Sequence, residues 1–243
     1  MKTPDYMLIG GSGIGSRLEK LAGPRVAIPC EGGVIKGRMV TLGGKSVLAV
    51  QRHSGGHKTP PHLVNYAAFA KAAAQLGVKG VFATAAVGSL VPTWTPGTFV
   101  ICSDFLDASC RQTTVFDRTV VHRDFTHPFD PSLRQALIDA AKRANEKVEE
   151  RGVYMTLNGP RYETPAEIKM LQSWGAELVG MTASTEAIVM RECMVPYCCF
   201  AVVTNLAAGI SETELDHSEV LDVMEARGGK VLQLIESAIA GLG

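Results

Sequence analysis

The sequence has no excess of charge of either sign, because 24 lysine and arginine residues balance 24 aspartate and glutamate residues. Such a balance gives the protein no overall field that would draw it to nucleic acid or to an acidic membrane. Internal repeats and low-complexity segments are absent as well. A small neutral or singly charged substrate therefore suits this composition better than a polyanion.

Cysteine pairs with the spacing of a metal or redox site are also missing. The six cysteines include no C-x-x-C motif, and none has the spacing to histidine that zinc sites use. Several stand in apolar runs, where a free cysteine behaves as a small buried hydrophobic residue. This pattern indicates a reducing compartment.

No apolar run of the sequence reaches the length of a transmembrane helix. Residues 1–5 do not begin a signal peptide, since the apolar run that follows them is short and ends at glycines. We therefore expect a cytoplasmic protein with neither nucleic-acid nor membrane partners.

The chain has 243 residues, of which 46% are hydrophobic, and we expect residues 1–243 to form a single large domain. Apolar runs typical of strands alternate with segments of helical periodicity, and Gly43-Gly44 predicts an antiparallel hairpin. Helices are predicted at 65–76, 131–144, from Thr164 onward, 185–194 and 218–239, the last interrupted by Gly228-Gly229. The expected fold is α/β, a three-layer α/β/α arrangement with a mixed central β-sheet.

A glycine-rich turn, Gly10-Gly11-Ser12-Gly13-Ile14-Gly15-Ser16, follows directly on the apolar run 6–9. Such a turn leaves backbone N–H groups free to face an anion, and Ser12 adds a hydroxyl donor. A dinucleotide site would need G-x-G-x-x-G at the start of a helix and an acidic residue about 20 residues later. Here Pro24 follows soon and no clean second strand ends in an acidic residue. A turn that binds nothing is the alternative.

Further polar residues follow predicted strands, and we expect them at one edge of the sheet, where open α/β sheets bind ligands. Five groups could hold an oxyanion such as phosphate: the side chains of Ser12, Arg52, His53 and Thr182 and the backbone N–H of Ala85. Glu163 and Asn205 instead form an acceptor and donor pair that can read a planar heterocycle.

Each of these residues has an ordinary explanation when it is taken alone. Arg52 could be a surface cation, Glu163 could support the helix that follows it, and Asn205 could be a turn residue. His53 and His57 stand four residues apart, as some metal ligands do. Gly55-Gly56 argues against a helix between them, and no third ligand is evident, so we expect no metal.

In order along the chain, the motifs resemble the trimeric purine nucleoside phosphorylase and methylthioadenosine phosphorylase family over residues 7–235. They are the glycine turn, Arg52-His53, Pro61-His62-Leu63-Val64-Asn65-Tyr66, Ala85-Ala86-Val87-Gly88-Ser89-Leu90, Gly159-Pro160-Arg161-Tyr162-Glu163-Thr164, Gly180-Met181-Thr182 with Glu186-Ala187 and Arg191-Glu192, and Thr204-Asn205. No single motif is decisive, but the set in register is highly specific.

The resemblance implies a phosphorolysis, in which phosphate attacks the anomeric carbon of a nucleoside and releases the purine base and ribose 1-phosphate. It assigns phosphate to Ser12, Arg52, His53, the Ala85 backbone and Thr182, the ribose to Met181, and the base to the catalytic residues Glu163 and Asn205. Asn205 would stabilise the charge that develops on the departing base. Inorganic phosphate is then the co-substrate, with no organic cofactor or metal, and a homotrimer or a dimer of trimers is expected.

Asn205 and Glu163 favour one branch of this family. The Asn205 amide can donate to a 6-oxo group, whereas members that act on 6-aminopurines resemble Thr-Asp at positions 204 and 205. Glu163 can accept from the N1–H that a 6-oxopurine carries and adenine lacks. A base that leaves one of these groups unpaired loses about 1–3 kcal/mol. Inosine and guanosine are therefore the expected substrates.

The 5′ side of the nucleoside is read by different residues. His217 resembles a histidine near the ribose 5′-hydroxyl, but the motifs at 52–53 and 61–66 resemble the methylthio branch. S-methyl-5′-thioinosine and 5′-methylthioadenosine are therefore alternative substrates. His122 resembles a residue contributed to the nucleoside pocket of a neighbouring subunit, and the irregular segment 104–129 is expected to be functional or a subunit contact. A nucleoside-binding module is the non-enzymatic alternative.

Overall fold

The structure is a computed structural model that describes residues 3–55, 58–211 and 215–243. Within these ranges eleven strands form one mixed sheet. The strands are β1 (Tyr6–Gly10), β2 (Arg25–Cys30), β3 (Gly33–Leu42), β4 (Lys45–Gln51), β5 (Gly80–Ser89), β6 (Phe99–Ile101), β7 (Asp104–Asp107), β8 (Val148–Glu149), β9 (Val153–Thr156), β10 (Leu178–Gly180) and β11 (Tyr197–Leu206). The helices are α1 (Ile14–Glu19), α2 (Tyr66–Leu76), α3 (Pro131–Arg143), α4 (Pro165–Ser173), α5 (Ala183–Glu192) and α6 (His217–Gly241), with a 3₁₀ turn at Pro61–Leu63. In the described part of the chain, none of the helices combines the length and the apolar character that crossing a bilayer requires.

The side chains of β1 alternate between the two faces of the sheet, as the two-residue period of a strand dictates. Tyr6 and Leu8 belong to the apolar cluster that packs against α3 and α6, whereas Met7 and Ile9 belong to the cluster beneath α2 and α5. All four side chains are buried. The sheet thus carries a helix layer on each face, which confirms the three-layer α/β/α architecture with a mixed central sheet.

Several helices begin at side-chain caps that the sequence displays. Asn65 accepts a hydrogen bond from the Ala68 N–H at the start of α2, and Asp130 caps α3 in the same way. Thr164 and Glu167 form a reciprocal capping box ahead of α4. A cap of this kind stabilises a helix by about 1 kcal/mol, so these residues determine where the loops that precede the helices end.

The two edges of β5 are covered differently, and this difference shapes the site. β11 pairs with β5 along 81–89. The other edge is shared, because β1 runs parallel to β5 and covers 80–83, while β10 runs antiparallel and covers only Gly88 and Ser89. The carboxyl ends of β1 and β10 therefore point toward each other. Between them no described strand pairs with residues 84–87 on this edge, and we call this stretch the β5 gap.

The structure differs from the prediction at the two glycine-rich ends of the chain. The prediction missed α1 and β2, because α1 has only six residues and β2 contains Pro29, which an edge strand tolerates. α6 runs without a break through Gly228-Gly229. A Cβ atom at Gly228 would lie 2.6 Å from Arg17 Nε and 3.2 Å from Ile14 Cδ1, so the glycine allows α6 to pack closely against α1. The short strand β7 also occupies the start of the segment expected to be irregular.

An ion pair between Arg52 and Glu186 is buried behind the β5 gap. Arg52 follows β4, and its Nε and Nη2 donate to the Glu186 carboxylate at 2.5 and 2.8 Å. Arg52 Nη1 donates to the Thr84 carbonyl at 2.8 Å, and the Tyr197 hydroxyl donates to Glu186 Oε2 at 2.8 Å. The two charged side chains are 1% and 0% exposed. Burial lowers the pKa of Arg52, but the facing Glu186 carboxylate more than compensates, so the net pKa is raised and the guanidinium stays charged.

Breaking this pair is expected to destabilise the fold strongly. Glu186→Gln leaves the Arg52 guanidinium buried without a counter-charge, which typically costs about 3–5 kcal/mol. Urea unfolding should show this loss as a lower midpoint. Glu225→Gln is the control, since Glu225 pairs with Arg17 at the surface and is 79% exposed, and surface pairs contribute little. A Glu186→Gln variant as stable as the Glu225→Gln variant would contradict the assignment.

Candidate active site

A cavity of about 410 Å³ opens at the β5 gap. It lies where the carboxyl ends of β1, β10 and β11 meet beside β5, as expected for a ligand site in an open α/β sheet. Every predicted site residue except His122 lines it. The lining includes Ser12, Arg52, His53, Lys58, Ala85, Ala86, Tyr162, Glu163, Met181, Thr182, Asn205 and His217.

The glycine turn after β1 forms one wall of the cavity and is tightly packed from behind. The Gly11 N–H donates to Thr84 Oγ1 at 3.1 Å. A Cβ atom at Gly11 would lie 2.5 Å from Arg52 Nη1 and 2.7 Å from the Thr84 carbonyl oxygen. Only glycine therefore fits at this position. Ser12, the next residue, is half-buried and faces the cavity.

The turn after β10 forms the opposite side of the β5 gap. Thr182 is buried and precedes α5, but its side chain makes no capping bond to that helix. Its backbone N–H reaches the Tyr154 hydroxyl at 3.4 Å. The positive end of the α5 dipole lies at this turn, where it favours an anion. A hydroxyl that does not cap its own helix is suited to bind a ligand oxygen.

The hydrogen-bonding directions of β5 show which backbone N–H groups face the cavity. Val81 N–H donates to the Pro196 carbonyl ahead of β11, and the Val87 carbonyl accepts from Thr204 of β11. The Thr84 carbonyl instead faces Arg52 on the other edge. Because backbone groups alternate along a strand, the N–H of Ala85 faces β11 and that of Ala86 faces the β5 gap. Ala85 and Ala86 both line the cavity, and of the two it is the Ala86 N–H that is directed into the gap.

Hydrogen bonds to other parts of the protein orient the side chains of Arg52 and His53. Three of the five guanidinium N–H groups of Arg52 donate to Glu186 and Thr84, which leaves two for a ligand. His53 Nδ1 lies 2.9 Å from the Thr59 carbonyl oxygen. Since a carbonyl only accepts, Nδ1 carries the proton in this contact. His57 lies outside the described residues.

Two residues at the cavity can read a planar ring by hydrogen bonding. Asn205 is buried, its Oδ1 accepts from Thr204 Oγ1 at 2.9 Å, and its Nδ2 donates to the Leu206 carbonyl at 3.0 Å. These bonds orient the amide and leave one N–H and one lone pair for a ligand. Burial raises the pKa of the Glu163 carboxyl. The cavity therefore brings Asn205 and Glu163 together, as the sequence predicts.

Met181 and His217 supply further walls of the cavity, and His122 does not. A Cβ atom at Gly159 would lie 2.3 Å from Met181 Sδ, so the loop after β9 packs directly on this methionine. His217 is the first residue of α6, lines the cavity and remains exposed. His122 is also exposed but is not among the residues that line the cavity of its own chain.

The sequence gives no role to three cavity residues that carry polar groups, Lys58, Thr59 and Tyr162. Tyr162 belongs to the motif 159–164, in which the predicted role falls on the next residue, Glu163. Lys58 stands in a polar loop with no periodic signal, and nothing in the sequence distinguishes it from a surface lysine. In the described residues, no three histidine, cysteine, aspartate or glutamate side chains group as metal ligands do.

Comparisons with known proteins identify relatives of this chain. Residues 5–240 match the model of the phosphorylase superfamily. The chain is 43% identical over 241 residues to the probable 6-oxopurine nucleoside phosphorylase of Moorella thermoacetica, and the match covers 97% of this chain and 92% of that protein. It is 39% identical to the 6-oxopurine nucleoside phosphorylase of Pyrococcus furiosus, with the same coverage.

Other relatives carry a different substrate in their names. The probable S-methyl-5′-thioinosine phosphorylase of Methanothermobacter thermautotrophicus is 42% identical over 202 residues, which cover 83% of this chain and 70% of that protein. Among solved structures, methylthioadenosine phosphorylase from Schistosoma mansoni in complex with adenine superposes with a TM-score of 0.91 at 27% identity. The match covers 98% of this chain and 91% of that one.

Glu163→Gln is expected to stabilise the fold at neutral and alkaline pH. The folded pKa of Glu163 is raised, so the folded state binds the proton more tightly than the unfolded chain does, and stability falls as pH rises above about 4.3. The variant lacks this loss. Its urea midpoint should exceed that of the wild type near pH 8, and the difference should shrink near pH 4.

A second glutamate on the same segment provides a control of opposite sign. Hydrogen bonds from Arg161 and from the Thr164 backbone lower the pKa of Glu167 to about 2. A lowered pKa adds stability above the unfolded value and loses it as pH falls. Glu167→Gln should therefore destabilise the fold near pH 8. Equal signs for the two variants would contradict the burial assigned to Glu163.

Proposed function

We propose that this chain, which belongs to the phosphorylase superfamily, cleaves the N-glycosidic bond of 6-oxopurine nucleosides such as inosine and guanosine with inorganic phosphate. The products are the free purine base and ribose 1-phosphate, so the enzyme is a pentosyltransferase. The observation that carries the proposal is the cavity at the β5 gap, because it joins a set of anion donors to the pair Asn205 and Glu163. The names of the relatives support the same reaction.

Phosphate would be held mainly by neutral donors from three strands. Ser12 follows β1, Thr182 follows β10, and the Ala86 N–H comes from the exposed edge of β5. His53 and the two remaining Arg52 N–H groups complete the set. Because Glu186 neutralises Arg52, the charge that attracts the dianion comes largely from Lys58, which also lines the cavity. No metal or organic cofactor enters the proposal.

The purine would be read by Asn205 and Glu163. The remaining N–H of Asn205 donates to O6, and its Oδ1 accepts from N7 once that atom has taken a proton from solvent, which balances the proton that hydrogen phosphate loses as the ester forms. The Glu163 carboxylate accepts from N1–H, and this bond offsets the burial that raises the pKa of Glu163. Adenine offers an acceptor at N1 and a donor at its 6-amino group, so both contacts would be lost.

The reaction follows from these positions. The bond from the anomeric carbon to the base nitrogen breaks as a phosphate oxygen forms its own bond to that carbon. The ribose passes through a state with oxocarbenium character, which the phosphate anion stabilises. Negative charge accumulates on the departing base, where the oriented Asn205 amide opposes it with no further reorganisation. Met181 provides an apolar wall for the ribose.

S-methyl-5′-thioinosine is the second candidate substrate. A relative of 42% identity is named for it, and this nucleoside carries the same 6-oxopurine base. The two substrates differ only at the 5′ substituent. His217 and Val220 both line the cavity, so a polar and an apolar side chain are present to contact that group. Inosine is favoured because an imidazole can hydrogen-bond a 5′-hydroxyl.

A homotrimer is proposed as the working assembly. His122 is exposed and lies outside the cavity of its own chain, so a role for it in nucleoside binding requires a neighbouring subunit. A reducing, cytoplasmic location is proposed as well, and it is supported by six cysteines that are all free thiols.

Inosine is expected to be cleaved only when phosphate is present. Hypoxanthine release should be followed by chromatography in phosphate buffer and in buffer without phosphate. The specificity constants kcat/KM for inosine, guanosine, S-methyl-5′-thioinosine and 5′-methylthioadenosine then rank the candidates, with the 6-oxopurines first. Base release without phosphate would identify a hydrolase, and a preference for 5′-methylthioadenosine would refute the assignment of Asn205.

Asn205→Asp tests how the base is read. The carboxylate cannot donate to O6, and an unpaired buried group costs about 1–3 kcal/mol, so kcat/KM for inosine should fall about 10- to 100-fold. The value for 5′-methylthioadenosine should rise relative to inosine. Asn145→Asp is the matched control, because Asn145 is exposed and does not line the cavity. Unchanged selectivity in Asn205→Asp would remove Asn205 from base recognition.

A further inference from the structure

Arg111 lies outside the set of residues that line the cavity, in the segment between β7 and α3. No helix or strand is described between Asp107 and Pro131, and the sequence predicts only that this irregular segment is functional or a subunit contact, without a role for Arg111. The Arg111 side chain is nevertheless among the most extensively hydrogen-bonded in the structure. Its partners include residues of two of the loops that carry the proposed ligand contacts, and also Tyr66 of α2 and Thr185 of α5.

The first loop follows β9 and leads to Glu163. Arg111 Nη2 donates to the Asn158 carbonyl at 2.6 Å and to the Leu157 carbonyl at 3.2 Å. Arg111 Nε donates to Asn158 Oδ1 at 3.0 Å. The guanidinium therefore holds the backbone at the point where β9 ends and the base-reading loop begins.

The second loop is the turn after β10, where Arg111 Nη1 donates to the Met181 carbonyl at 2.8 Å. The same nitrogen also donates to the Tyr66 hydroxyl of α2 at 3.2 Å and to Thr185 Oγ1 of α5 at 3.3 Å. The Met181 carbonyl belongs to the peptide unit that leads into Thr182. The same guanidinium thus holds the turn that carries the proposed ribose and phosphate contacts.

We propose that Arg111 is a positioning residue that sets the separation between the base-reading loop and the phosphate-binding turn. This inference rests on the proposed function. The planar guanidinium carries five N–H groups in a fixed fork, which allows one side chain to bind both loops at once. A lysine ammonium offers three donors from a single point and cannot span them. Arg111 touches no substrate atom and acts through Glu163, Met181 and Thr182.

The two loops carry contacts to different substrates, and this gives the proposal a distinct signature. Misplacement of reacting groups by about 1 Å can cost about 100-fold in rate. Loss of Arg111 should therefore lower kcat and raise KM for the nucleoside and for phosphate together. A residue that binds only one substrate would change mainly one KM.

Arg111→Ala is the first variant, and Arg111→Lys is the second in case the alanine variant does not fold. Arg123→Ala is the matched control, because Arg123 belongs to the same segment but is exposed, lies over the Phe116 ring and, among the described residues, donates one hydrogen bond, to the Glu192 carbonyl. Kinetics for inosine and phosphate are measured with and without added millimolar guanidinium ion. Hydrogen exchange of the amides at 157–163 and 180–185 is measured without substrate.

The expected result is a loss of about 100-fold in kcat/KM for both substrates, partial recovery with guanidinium, and faster exchange in both loops. Arg123→Ala should resemble the wild type. Activity within about threefold of the wild type in Arg111→Ala, or unchanged exchange in both loops, would overturn the proposal. The proposal would also be overturned if the loss of activity in Arg111→Ala equalled the fraction of that variant that is unfolded and if guanidinium restored none of it. A wild-type protein that fails to cleave inosine with phosphate, yet shows the exchange difference, would refute the proposed function alone.

Discussion

The uncovered stretch of β5 is the constraint on which the site depends. Backbone N–H and C=O groups that leave water must find partners, and Thr84 and Ala86 turn theirs toward the gap. Arg52 satisfies the Thr84 carbonyl, whereas the N–H of Ala86 faces the cavity. β1 and β10 cannot close the gap, because each turns away at its carboxyl end, β1 into glycines and β10 into α5. The resulting opening is lined by hydrogen-bond donors from three strands.

The ion pair of Arg52 and Glu186 lies behind this opening and supports it, but the pair adds little net charge to the cavity. The two side chains join the end of β4 to α5 and are tied to Thr84 and Tyr197. Because the pair is neutral as a unit, it contributes oriented N–H groups to the cavity but little net charge. Neutral donors at fixed positions can bind an anion while it reacts, since they need not reorganise as its charge moves.

The sequence predicts the layers of the fold and most of the cavity, but not the contacts that hold the cavity together. The strand β5 and the capping box at Thr164 are visible because apolar runs and cap residues are local signals. The orientation of Ala86 rather than Ala85 depends on which edge of β5 each N–H faces, and this follows only from strand pairing. Glu186 and Arg111 bond to residues far away in the chain. No local sequence pattern reveals contacts of this kind.

The residues proposed to read the base make different contacts from the residues on which the packing of the core depends. Among the described contacts, the side chain of Asn205 bonds only to its neighbours Thr204 and Leu206, and Glu163 stands in a loop ahead of α4. Neither touches the Arg52 and Glu186 pair or the closely packed Gly11. A substitution at Glu163 therefore leaves the packing of the core unchanged, whereas a side chain at Gly11 would collide with Thr84. A chain built in this way can change its substrate during evolution and keep its chemistry.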